Sequence, residues 1–271
     1  GLAETGLSDD ALDEGFGEVV GAVISSLDEA NTEAAEVSTA VQVVTKKAVQ
    51  KAGSVSGMDP ASAIQSATKN AVKGLGNTNL SAAEVTTTLQ ITVKTVVDSL
   101  DEVEGDPSIE ITSVIAQVAT SSIEGLAELQ QTFANNAEFD LSAATKGIAS
   151  GATEGAGELA AANATLDLGT TIGVLSKSTA AALGKLTTDA AVLETLSEGV
   201  QGQIESEIDE INTTHPGLGI NPQTIKEEAA DGLKEGISDS GVEGADQIVT
   251  NLGTGGTGTD TTGGSTTGGS T

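Results

Sequence analysis

Glycine recurs four residues apart inside stretches whose apolar residues follow a helical period, and this spacing constrains the fold more than any other feature of the chain. Gly147, Gly151 and Gly155 continue a line begun by Ala143, and Gly17/Gly21, Gly169/Gly173 and Gly232/Gly236 repeat the interval. Residues four apart lie on one face of a helix. An exposed helical glycine costs about 1 kcal/mol relative to alanine, so nine of them need a compensating contact. Close backbone approach is the physical candidate. A glycine face lets two helices pack nearer than the usual ~8–10 Å, with Cα–H···O contacts between them. The motif is common in membranes, but these segments carry charges, so the expected neighbour is a protein surface at which subunits pack and assemble. The competing account is that a chain with 34 glycines produces the spacing by chance.

Helix-period patterns run through most of the sequence. Leu12, Phe16, Val19, Val20, Val23 and Leu27 fall at intervals of three and four, which predicts a helix from about Ser8 to Glu29 with Ser8 as its cap. A second helix is expected from Thr32 to Ala52, ended by a left-handed Gly53. Asp59-Pro60 reads as cap plus first-turn proline for a helix to Leu75, and Ser81 to Glu84 fits a capping box opening a helix to Val103. Asp106-Pro107, Asp140, Asp167, Asp189 and Asn221-Pro222 supply five more starts. Leu89, Ile91 and Val93 also alternate as a strand would, but the capping box ahead of them favours helix.

The expectation is an all-α chain of about nine helices: a multi-helix bundle, or a degenerate array of helical hairpins. A hint of repetition comes from Asn79 to Asp106 and Asp140 to Asp167, both 27 residues. The domain division follows the composition. Residues 1–252 read as one helical domain with a sub-boundary near 136–140, and residues 253–271, almost wholly Gly, Thr and Ser, as a tail or linker.

Composition narrows the chemistry. The chain has 271 residues, 40 acids against 11 lysines, a net charge of −29, and neither Arg, Cys, Trp nor Tyr. Such a surface repels nucleic-acid phosphate and has no aromatic platforms for bases. Without cysteine there is no disulfide, thiolate nucleophile or Cys metal site. His215 is the single histidine and sits in a turn sequence with no nucleophile nominated beside it, so no catalytic residue is assigned and no enzyme is expected. An acidic coat attracts cations and suits a high-salt or marine setting. Leu, Ile, Val and Phe make up about 23% of the chain, just above the disordered range, so the core is lean.

Other motifs are weaker. Asp101, Glu102, Glu104 and Asp106 could offer carboxylates to Ca²⁺, though the spacing is not that of an EF-hand loop and a helix end followed by a cap explains them as well. No other cofactor is expected. Glu205, Glu207, Asp209 and Glu210 read as a solvated helix face beside Ile204, Ile208 and Ile211. The longest uncharged apolar stretch, Ile111 to Ile123, is too short for the ~20 residues of a membrane span. Gly1 at the start, with Met58 the only methionine, suggests a removed export signal. Sequons at Asn79, Asn163 and Asn212 are compatible with export, though a Thr-rich chain also yields them by chance. The functional expectation is a secreted structural protein, a homo-oligomeric or polymeric subunit of an extracellular filament, sheath or surface layer. The alternative is a helical cell-surface or adhesin-type binding module joined to a larger protein through its Gly/Thr tail.

Overall fold

Asp and Asn caps place half of the helices. In the computed structural model, which describes residues 8–27, 33–103, 109–133 and 138–254, the side chains of Asp59, Asp140, Asp167, Asp189 and Asn221 each accept a first-turn backbone N–H. Ser81 and Glu84 close the capping box reciprocally, satisfying two amides that a helix start leaves free. The described residues form ten α-helices: α1 Asp9–Ser25, α2 Ala34–Ala52, α3 Pro60–Gly74, α4 Ala82–Asp98, α5 Ile111–Thr132, α6 Leu141–Ala162, α7 Leu168–Leu186, α8 Ala190–Thr214, α9 Pro222–Asp239 and α10 Ala245–Thr254. No strand occurs among the described residues, and Leu89 to Val93 lie within α4.

Several boundaries differ from the sequence reading, each for a local reason. The Ser8 side chain makes no capping bond. Gly53 ends α2 in right-handed geometry at φ −79°, because the chain first makes a turn and reserves positive φ for Gly57 at +88°. Helix α4 stops at Asp98 and tightens into a 3-10 turn over Leu100–Glu102. Helix α5 starts at Ile111 with Glu110 in the cap position; Asp106 and Pro107, the expected start, lie outside the described residues. Helix α10 had no expected counterpart, and it carries Gly253 and Thr254, the first two positions assigned to the tail. The rest of that tail, residues 255–271, is outside the described residues.

Helices α1 to α9 each pack most extensively on a second neighbour in the chain. Helices α1, α3, α5, α7 and α9 form one row, and α2, α4, α6 and α8 a second, with α10 laid against α9 and α8. Long-range polar contacts follow this step: Gln65 with Gln117, 52 positions apart, Thr112 with Thr171, 59 apart, and Ser150 with Glu207, 57 apart. Those separations are about twice the 27-residue interval seen in the sequence, because that interval is one helix with its connector and a row advances by two. The apolar core runs between the rows and is built from Ile64, Leu89, Ile115, Leu126, Ile148 and Ile172, all buried.

The lysines reinforce the rows from outside. Lys73 on α3 meets Glu128 on α5 at 2.7 Å, Lys94 on α4 meets Glu158 on α6 at 2.7 Å, and Lys177 on α7 meets Glu235 on α9 at 2.5 Å. These are surface or half-buried pairs, worth about 0–1 kcal/mol each. Their main effect is to place the few cations where the neighbouring acids of a row would otherwise repel.

Candidate functional site

All nine stripe glycines are used within the chain. Beta carbons placed on Gly17 and Gly21 of α1 would meet Ser66 and the Asn70 carbonyl of α3. On α6, Gly147, Gly151 and Gly155 face α4, with the Thr86 carbonyl 3.4 Å from the Gly147 position and the Lys94 carbonyl 3.0 Å from that of Gly155. Helices α7 and α9 approach through both of their pairs: Gly169 and Gly173 lie under Glu228, and Gly232 and Gly236 lie against the backbones of Gly173 and Lys177. These contacts join second neighbours of one row, so the same faces are not free to receive another subunit.

A polar chain crosses the second row at the level of these glycines. The Gln90 Nε2 donates to Ser150 Oγ at 2.9 Å, and Ser150 Oγ donates to Glu207 Oε1 at 2.5 Å. Gln203 Nε2 adds a second donor to Glu207 at 2.8 Å. The sequence pattern put Glu207 on a solvated face, but it is 7% exposed and Ser150 only 2%. A hydroxyl bonded to a carboxylate has the makings of a nucleophile and base, yet at this burial no substrate reaches it while the row is closed. Its action is to tie α4, α6 and α8 together with every partner satisfied. Beside it, burial raises the Glu154 carboxyl above its ordinary value, and Glu207, Glu158 and Glu210 add to the rise against the opposing Lys94 charge. For Lys94 burial works against the charge, but the Glu158 hydrogen bond and the Glu154 charge more than offset it and its pKa is raised.

Asp13 is a buried acid of the first row with an unsatisfied oxygen, and the half-buried Glu228 on α9 leaves its Oε2 unsatisfied too. Asp13 is 5% exposed, and its Oδ1 has no hydrogen-bond partner. Burial raises its pKa, the Asp59 charge adds to this, and a hydrogen bond from the Asp59 backbone N–H partly opposes it. Asp13 borders a polar groove of about 430 Å³ between α1, α3 and α5, whose walls include Glu14, Ser66, Lys69 and Ser121. Neither Asp13 nor Ser150 stood out in the sequence. The usable signals were an acid at a position flanked by core residues for Asp13, and the 57-residue pairing for Ser150.

The remaining sequence candidates are spread out. Glu102 accepts from Lys46 at 2.9 Å and from Gln50, Asp101 is exposed beside it, and Glu104 and Asp106 lie outside the described residues. Among the described residues no group of three or more acids or histidines is placed to hold a metal. His215 follows α8 and borders a cavity of about 560 Å³ with Ala160, Leu166, Leu168, Leu218 and Ile220. Its other walls carry no carboxylate or second histidine. A more open groove of about 760 Å³ runs between the starts of α6 and α8, lined by Phe139, Leu141, Val192 and Leu196.

The two ends of the rows differ. At the C-terminal end α10 covers part of α9 and α8 and shows Asp246, Gln247 and Thr250 to solvent. At the other end α1 leaves Val19 53% and Val23 41% exposed, although the sequence pattern placed both in its apolar stripe. The buried face of α1 is instead Leu12, Gly17, Val20, Gly21 and Ile24, because the glycine pair, not the larger side chains, sets which side meets α3.

No family model, curated protein or solved structure matches the chain. No described helix is long and apolar enough to cross a membrane.

Proposed function

We propose that this chain is a secreted structural protein, a self-assembling subunit of an extracellular filament, sheath or surface layer, built as an open array of degenerate helical hairpins. The observation that carries this reading is the pair of rows that end without closing on themselves. In such arrays each unit contacts its neighbours alone, and an end that is not capped by polar residues tends to seek a partner. The side chains able to do chemistry serve the rows: lysines bridge second neighbours, and the Ser150–Glu207 pair is locked between helices. The acidic coat faces solvent and its cations.

Sedimentation velocity over a hundred-fold concentration range, at low and high salt and with and without Ca²⁺, tests the proposal. Growth of large species with concentration is expected, enhanced by salt that screens the negative surface. A single monomeric boundary under every condition would contradict it. That result would favour the second reading, a helical binding module at a cell surface, which is supported by the apolar groove of Phe139, Leu141, Val192 and Leu196.

A further inference from the structure

We infer that the polar groove over α3, between α1 and α5, binds a linear aliphatic diamine or polyamine, its ammonium groups lying along the acids of α1. The inference stands apart from the assembly reading above. Helices α1 and α5 both pack on α3, and the groove between them has a volume of about 430 Å³. Ser62, Gln65, Ser66 and Asn70 of α3 line its floor, and α1 and α5 supply its walls. Six carboxylates and two lysines border it, which leaves four negative charges. The lysines do not serve the two walls alike. Lys69 and Lys73 meet Glu128 of α5 at 3.3 and 2.7 Å, and Lys69 also lies 3.9 Å from Glu124. Asp10, Asp13, Glu14 and Glu18 of α1 have no lysine within ion-pair distance among the described residues. Lys73 feels Glu18 only through longer-range attraction.

Asp13 gives the α1 wall a group that calls for a donor. It alone of the four acids is buried, and its Oδ1 has no hydrogen-bond partner. A buried carboxylate oxygen without a donor is destabilising, and an ammonium N–H supplies both the donor and the opposite charge. Spacing then selects the shape of the ligand. Asp10, Glu14 and Glu18 follow one another every four residues, about 6 Å along the helix axis. Two amines joined by about four methylenes are also roughly 6 Å apart when extended, given bonds near 1.5 Å. A single metal ion suits the groove less, because among the described residues no three acids converge closely enough to hold one. An anion is repelled by the excess charge, while the hydroxyl and amide oxygens of the floor can accept the remaining ammonium N–H groups.

Isothermal titration calorimetry of the full chain with 1,4-diaminobutane tests the site, in ~0.15 M salt so that exposed charges act over only about 8 Å. Saturable binding of one diamine per chain is expected, with 1-aminobutane about tenfold weaker because it carries a single charge. D13N is expected to weaken diamine binding about tenfold through loss of a charge-assisted hydrogen bond. E14Q/E18Q, at two exposed positions, should weaken it as well and keeps the test valid if D13N perturbs the fold by circular dichroism. E198Q/E243Q removes the same charge at exposed positions outside the groove, and is expected to stay within about twofold of the wild type. Absence of saturable binding, wild-type affinity in D13N with its fold intact or in E14Q/E18Q, or equal weakening by the control pair would overturn the assignment. Displacement of the diamine by Mg²⁺ at equal concentration would overturn it too, since the acids would then act as a general cation surface.

Discussion

Gly151 and Gly202 are both helical glycines, and the structure gives them opposite roles. A methyl group at Gly151 would run into the Gln90 carbonyl and the Lys94 amide of α4, whereas at Gly202 nothing lies within 4 Å. Gly151→Ala is expected to lower stability by about 1–3 kcal/mol through overpacking against backbone. Gly202→Ala is expected to raise it by about 0.5–1 kcal/mol through helix propensity. Thermal melts of the two variants check both signs. The four-residue spacing made the first kind of glycine visible in the sequence. It did not show that the neighbour belongs to the same chain, because the contact spans about 60 residues and leaves no local mark. Asp13 has a different signature. Its raised pKa means the folded state holds the proton more tightly than the unfolded chain, so stability falls as pH rises from the ordinary value of 3.8 through the folded one. Asp13→Asn keeps an acceptor for the Asp59 N–H and removes that loss. It is expected to melt about 2–4 °C higher than the wild type at pH 7, with the difference vanishing near pH 3.

At the scale of an element, α4 and α6 show how a row is held. Glycines bring the backbones together, Gln90 and Ser150 bond across at 2.9 Å, and Lys94 sits among acids with only 23% of its side chain exposed. Lys94→Gln removes the cation facing Glu154 and Glu158. A loss of about 1–2 kcal/mol is expected at pH 7. The loss should shrink as pH falls through the raised Glu154 value, because protonation relieves the repulsion that Lys94 normally offsets. Denaturant titrations at pH 7 and pH 4 measure it. Helix starts were the most legible elements in the sequence, since Asp59, Ser81, Asp140, Asp167, Asp189 and Asn221 cap through contacts within three residues. Faces were less legible. The apolar stripe of α1 looked buried at Val19 and Val23, and the tertiary preference for the glycine face turned both outward. Helix α10 was missed because it is only ten residues long and Gly244, not an Asp, Asn or Ser cap, precedes it, although Ala245, Ile248 and Leu252 share a buried face.

For the whole molecule, two rows of helices follow from short connectors and from the step of two between packed neighbours. The sequence carried a trace of this order in its 27-residue intervals, though unequal helix lengths blur the period. The net charge of −29 acts at this scale too. It opposes association at low ionic strength and makes compactness, and any assembly of the kind proposed, salt-dependent. Electron microscopy of the concentrated chain at high salt, with and without Ca²⁺, tests the proposal that these rows are the unit of a larger structure. Filaments, sheets or regular clusters of the chain are the predicted result. Dispersed single particles at every concentration and salt level would contradict it.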